Sequence, residues 1–189
     1  MLGYGIHEVE NITGDLCKAC GLCCGGALHA RVGVSEKHDD IARLEAEGLE
    51  ITPTADGPAL TLPCSAHVGD HCRVYSHRPG ACRAFRCLTL QRYESGQLSR
   101  NDAFDIVRDA LALRAEIRQL VVEAGGPEGL RRVVDIEAHL AAVAEADQAE
   151  LTARYADALL ALAHLRRFLG DHFVEAASLK EERTLLGVI

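Results

Sequence analysis

From residue 100 onward, apolar residues recur at steps of three and four. Ile106, Ala110, Leu113, Ile117 and Leu120 fall on one face of a helix predicted from Asn101, as its cap, to about Val122. Gly125-Gly126 stops that helix, and Pro127 is suited to open a second one, whose stripe is Leu130, Val133, Ile136, Leu140 and Val143. A third is expected from about Leu151 to Leu169, with Tyr155, Leu159, Leu162 and Leu165 on its stripe and Gly170-Asp171 at its end. Three stripes that each need a partner predict a small antiparallel bundle.

The first half has no such period. Ser35 is expected to cap a short helix running through Ile41 and Leu44 to Gly48, with Asp39 and Asp40 in its first turns. Ile51-Thr52 and Ala59-Leu60-Thr61-Leu62 have the length and composition of short strands. Pro63 to Cys87 reads as loop, punctuated by Gly69, Pro79 and Gly80. Composition changes near residue 95, from Cys, Gly, Pro and His to Ala, Leu, Arg and Glu. Two regions are therefore expected, 1–95 and 96–189, packed into one globule.

Composition mainly narrows the field. With 189 residues, 48% of them hydrophobic and 25% charged, the chain has the size and balance of a globular domain. No apolar run reaches the roughly 20 residues that span a bilayer. The opening MLGYGIHEVENITGD lacks the basic and apolar regions of an export signal, so the cytosol is the expected compartment. A net charge of −8 argues against nucleic-acid and anionic-membrane partners, and the absence of Trp against base stacking.

Eight cysteines change the picture, because all of them lie between Cys17 and Cys87. In a reducing compartment such a cluster points to metal ligands or redox thiols rather than to disulfides. Cys17-x2-Cys20-x2-Cys23-Cys24 puts cysteines at the spacing with which a tight turn aims sulfurs at one centre. A third cysteine at that spacing suits loops that wrap iron–sulfur clusters, where consecutive cysteines reach different irons. Cys64, Cys72, Cys82 and Cys87 either complete a centre begun upstream or form a second one. Cys23 and Cys24, being adjacent, have side chains that diverge in most backbone conformations. Five arginines (Arg73, Arg78, Arg83, Arg86 and Arg92) and no acid lie between His71 and Tyr93, a charge pattern suited to offsetting anionic thiolates. Bound metal would also supply the crosslinks that a loop from Pro63 to Cys87 cannot get from burial.

The run Cys17-x2-Cys20-x2-Cys23-Cys24, then Cys64, then Cys72-Arg-Val-Tyr75-x2-Arg78-Pro79-x2-Cys82-Arg83-x-Phe85-x-Cys87 resembles the YkgJ-type CxxCxxCC cysteine-cluster family over roughly residues 12 to 92. That family is described as zinc- or iron-chelating. The resemblance implies that all eight cysteines belong to the chelating set and singles out Tyr75, Arg78, Pro79, Arg83 and Phe85 around it. Arg78 and Arg83 have the chemistry to donate to thiolate sulfur or to an anionic ligand, and Tyr75 and Phe85 to wall a bound cofactor from water. Because the family includes proteins resembling flagellin lysine N-methylase, some members are implied to couple a metal centre to methyl transfer.

Cys64-x2-His67 also has zinc spacing, and His71 and His77 lie nearby, but abundant thiolates make these histidines secondary candidates. No phosphate loop, nucleophile elbow, HExxH or dinucleotide fingerprint is present, so no catalytic residue is assigned. The expected protein is mainly α. A loop-rich module with a short helix and short strands is organised by metal and packed against about three C-terminal helices. Its expected cofactor is an iron–sulfur cluster, used in electron transfer with a redox or protein partner or in a modification reaction. The alternatives are a zinc-bound structural or interaction module and a thiol-based redox sensor.

Overall fold

The structure, a computed structural model, describes residues 14–69 and 71–174. Most of the stretch read above for an export signal, up to residue 13, lies outside the described residues. The chain divides into two compact units, one ending at Phe104 and the other starting at Asp105.

The first unit opens with helix α1 (residues 14–20), which carries Cys17 and Cys20 one turn apart. Gly21 leaves the helix with φ +61°, and residues 22–27 form tight turns closed by Gly25 N–H to Gly21 C=O and Gly26 N–H to Cys23 C=O. Three antiparallel strands follow, β1 (Arg31–Gly33), β2 (Ile51–Thr54) and β3 (Gly57–Thr61), in the order β1-β3-β2. Ile51 pairs with Leu60 and Val32 with the same Leu60 on the other edge. The two expected strands are thus present, and the unexpected β1 completes the sheet.

Between β1 and β2 lies α2 (Ile41–Ala46). Asp40 is its cap, accepting from the Arg43 amide at 3.1 Å, and Ser35 is not. The Ser35 amide instead donates to Asp39 at 2.8 Å, so the residues expected in the first helical turn form turns of their own. Asp and Ser are both favoured caps, and Asp40, directly before Ile41, is the one placed to receive the first free amides of α2.

The segment expected to be loop contains four small elements. These are β4 (His67–Val68), its partner β5 (His71–Cys72), a 3-10 turn (Tyr75–His77) and α3 (Gly80–Ala84). Helix α4 (Leu88–Glu94) follows Cys87. Val34, Leu44, Leu49, Leu60, Cys64, Ala66 and Val74 form the core of this unit, with Cys24, Ile41, Ile51 and Cys72 packed against it.

Helix α5 (Arg100–Glu123) carries the chain from the first unit into the second. Ser99 caps it, with Asp102 answering: the Asp102 amide donates to the Ser99 hydroxyl at 3.2 Å and the Ser99 amide to the Asp102 carboxylate at 3.1 Å. This reciprocal cap takes the place of the expected Asn101. Its buried face is Ala103, Val107, Ala110, Ile117 and Val121, with Ile106, Leu113 and Leu120 half-buried at its edge. Gly125 (φ +83°) and Gly126 end the helix by donating to the carbonyls of Val122 and Val121, the pairing of a left-handed helix stop.

In the second unit α6 (Val133–Ala146) and α7 (Gln148–His172) lie antiparallel, Arg166 reaching Glu137 at 3.0 Å. Pro127 does not open α6. Residues 127–132 are turn, and Arg132, whose guanidinium holds Asp135 at 2.7 Å, stands at its start. Gly170 does not end α7, because Phe173 and Val174 stay buried beyond it, and that burial outweighs roughly 1 kcal/mol of glycine penalty. No helix among the described residues is long and apolar enough to cross a membrane.

Candidate metal centre

All eight cysteines are free thiols and all lie in the first unit. Their placement follows from four local devices. Helix α1 and the turns after Gly21 hold Cys17, Cys20, Cys23 and Cys24 in one short stretch. The chain leaving β3 then runs back beside the segment before β1. Leu62 N–H donates to Ala30 C=O at 2.9 Å and Cys64 N–H to Cys24 C=O at 2.8 Å. The β4–β5 pair sets Cys72 opposite His67. Finally, α3 carries Cys82, and Cys87 stands at the entry of α4.

Six of the thiols are held above the ordinary cysteine range, and burial is the first cause in each. Burial pushes the Cys23 thiol well up, and Cys20, Cys87, Cys24 and Cys17 push it further. Burial raises Cys87 too, with Cys17 adding to it and the amides of Leu90 and Thr89 opposing. Cys24 is pushed up to about 12, by burial first and then by Cys72, Cys64, Cys82 and Cys20. Cys82 is pushed up to about 11 by burial, with Cys64 and Cys72 next. Cys72 is raised by burial and by Cys64, against the Val74 amide. Cys17 is exposed as a residue, yet loss of water around its sulfur is still the leading cause of its upward shift. Crowded, buried thiols of this kind are neutral near pH 7 and become anionic only when a cation takes the place of their protons.

Arginines oppose the crowding. Arg78 lowers Cys17, Cys72 and Cys82, whereas Arg86 acts on Cys17 and Arg73 on Cys72. Arg78 is held in place by donating to the Tyr75 carbonyl at 2.6 Å and stacking 3.8 Å from the centroid of the Tyr75 ring. Lys18 of α1 lies 4.7 Å from the same ring. Tyr75 thereby ties the first cysteine helix to the loop that carries Arg78. Arg83 donates to the Arg78 carbonyl and lies 3.6 Å from Asp39, and Arg86 pairs with Glu94 at 3.1 Å. Phe85 sets its ring edge-on to His29 at 4.8 Å.

Asp39 is the residue that the sequence pattern passed over. Its side chain is 2% exposed and accepts from Gly80 N–H at 2.7 Å as well as from Ser35. It fastens the start of α3, the helix that carries Cys82, to the connection between β1 and β2. Only its place among helix-capping residue types marked it in the sequence. His67 lies so close to Gly21 that a Cβ there would stand 2.8 Å from the imidazole. His77 is engaged with Glu47 at 2.8 Å.

Among the described residues, no three Cys, His, Asp or Glu side chains converge, as they stand, closely enough to hold a metal ion. The thiols suit a soft or borderline metal by donor chemistry rather than by ligation geometry. Residues 16–104 match the CxxCxxCC family, described as a "putative zinc- or iron-chelating domain". No curated protein and no solved structure matches the chain.

Proposed function

From the match of residues 16–104 to the CxxCxxCC family, we propose that this chain is an iron–sulfur protein whose cysteine thiolates hold the cluster. The observation that supports this most is the crowding of eight free thiols within one small unit, each of the shifted ones raised by burial and most of them by one another. Such crowding is costly when the thiols ionise alone and favourable when a cation binds them. The cysteine spacing from Cys17 to Cys23 supports iron, since three cysteines at steps of three suit a loop around several metal atoms. When bound, the cluster supplies one-electron chemistry. The chain contributes Cys17, Cys20, Cys23, Cys24, Cys64, Cys72, Cys82 and Cys87 as ligands, and Arg78 as a fixed cation beside them. Tyr75 holds Arg78 in position. Electron transfer to a partner, or service as the metal module of a modification reaction, is the role that follows. A reducing cytoplasm suits eight free thiols.

A zinc-bound structural module is the second reading, supported by the supply of eight thiols in one unit, since four close a tetrahedral structural zinc site. Anaerobic purification separates the two. Protein that absorbs broadly near ~400 nm and carries iron with acid-labile sulfide supports the cluster. Colourless protein with stoichiometric zinc, after expression with ample iron, overturns it in favour of zinc.

A further inference from the structure

The segment between Cys72 and Cys82 carries a chemistry apart from its thiols. Ser76 and His77 are neighbours in the 3-10 turn Tyr75–His77, and the Ser76 hydroxyl lies 3.1 Å from His77 Nδ1. The other ring nitrogen, Nε2, lies 2.8 Å from Glu47 Oε1, across 30 residues of chain. A carboxylate only accepts, so in the neutral ring Nε2 carries the proton and Nδ1 keeps its lone pair. The Ser76 hydroxyl is then the donor and Nδ1 the acceptor. We propose that Ser76 is an activated nucleophile that accepts acyl groups from esters, with His77 as its base and Glu47 as the positioning residue that fixes the tautomer.

A hydroxyl within reach of a base, the base being oriented by a third group, is the arrangement that activates a nucleophile. Each member of this relay is held by a contact of its own. The Glu47 amide donates to the Arg43 carbonyl at 3.1 Å, and its carbonyl accepts from Arg73 Nη2 at 3.2 Å. Arg43 Nε donates to the same carboxylate oxygen that His77 uses, at 3.4 Å. The His77 amide donates at 3.0 Å to the carbonyl of Val74, a core residue, and its ring is 20% exposed. Ser76 itself is exposed, so an ester can reach its oxygen. Ser65, Ser95 and Ser99 are exposed as well, but Ser65 and Ser95 donate to the carbonyls of Gly48 and Arg92, and Ser99 accepts the Asp102 amide. None of those partners takes up a proton at neutral pH.

In the step, Ser76 Oγ bonds the carbonyl carbon of the ester and its proton passes to His77 Nδ1. The bond from that carbon to the alcohol oxygen then breaks, and the alcohol leaves with the proton from Nδ1. Acyl-Ser76 and a neutral His77 remain. While the ring holds the extra proton, the Glu47 carboxylate faces the imidazolium. No cysteine takes part, so this proposal stands apart from the metal reading.

The test uses the full-length, reduced protein and a fluorophosphonate, a reagent for activated serines that spares thiols. The oxygen–phosphorus bond forms at Ser76, the phosphorus–fluorine bond breaks, fluoride leaves and the proton goes to His77. Labels are mapped serine by serine by mass spectrometry. Ser76 should be labelled roughly a hundredfold faster than Ser65, Ser95 and Ser99 in the same molecules, a comparison that needs no variant to fold. His77→Gln should bring Ser76 down to the rate of those three. Glu47→Ala, which keeps the main-chain contacts of Glu47, should slow labelling about tenfold. In its nitrogen NMR spectrum the His77 ring should change from the Nε2–H form to a mixture of tautomers. p-Nitrophenyl acetate should likewise place acetyl on Ser76 ahead of the other three serines. Ser76 labelled no faster than they are, or labelled as fast in His77→Gln as in the unmutated chain, would overturn the activation. An unchanged tautomer in Glu47→Ala would overturn the role of Glu47, and absence of acetyl on Ser76 would overturn the ester as substrate.

Discussion

The Gly80 amide donates to the Asp39 carboxylate at 2.7 Å across 41 residues of chain, and the acceptor is almost fully buried. The same carboxylate takes the Ser35 amide at 2.8 Å and lies 3.6 Å from the Arg83 guanidinium. Two amide donors and one guanidinium cation thus converge on one almost fully buried carboxylate. Asp39→Ala leaves two amides without an acceptor and should lower stability by about 2–4 kcal/mol, measured by denaturant unfolding of the metal-free protein. Asp39→Asn keeps one carbonyl acceptor and should lose roughly half as much. Equal stability of Asp39→Ala and the unmutated chain would show that the contact does not fasten α3.

The arginines separate by which thiols they oppose. Arg78→Met should weaken metal retention most, because Arg78 lowers Cys17, Cys72 and Cys82. Arg86→Met and Arg73→Met remove the cations that lower Cys17 and Cys72, and each should weaken retention by up to about tenfold in chelator competition. Metal retention unchanged in all three variants would mean that solvent already screens these charges.

Proton linkage gives a pH test. An ordinary cysteine titrates near 9, whereas burial first, and neighbouring thiols next, push Cys24 to about 12 and Cys82 to about 11. The folded metal-free chain therefore keeps protons that the unfolded chain has already released. Stability that is fully present below pH ~9 should be lost progressively as pH rises towards ~12. Urea unfolding of the reduced, metal-free protein at pH ~8 and ~10.5 should show a lower midpoint at the higher pH. The double variant Cys24→Ser, Cys82→Ser should flatten that difference. An equal fall in the double variant would assign it to other groups.

The start of α5 offers a smaller test. Ser99→Ala removes the hydroxyl that accepts the Asp102 amide and should cost about 1 kcal/mol, while Asn101→Ala, inside the helix and exposed, should change stability by less than about 0.5 kcal/mol. The reverse order in thermal melts would restore Asn101 as the cap.

That cap also marks how far the sequence could be read. The long helices α5, α6 and α7 declare themselves through repeated burial at three and four residues, and Ala110, Ile117, Ile136, Leu140, Leu162 and Leu165 are buried as their stripes require. Their ends were harder, because each is decided by one or two competing groups. Ser99 outcompetes Asn101, and continued burial of Phe173 overrides Gly170. Between Pro63 and Cys87 the elements are two to five residues long, too short for any period to show. The cysteines themselves were legible from spacing alone. Their surroundings were not, since these depend on Cys64 returning beside Cys24 and on Asp39 anchoring α3, contacts between residues far apart in the chain.

The pairing of the Cys64 amide with the Cys24 carbonyl has a consequence for how the first unit is made. The turns that hold Cys23 and Cys24 are synthesised before β1, β2 and β3, and this bond waits until all three strands have emerged. A loop of that length costs entropy to close, and burial of Cys64 with Leu60, Ala66 and Val74 offsets the cost. The early cysteines therefore reach their folded surroundings late, after the ribosome has delivered the strands between them.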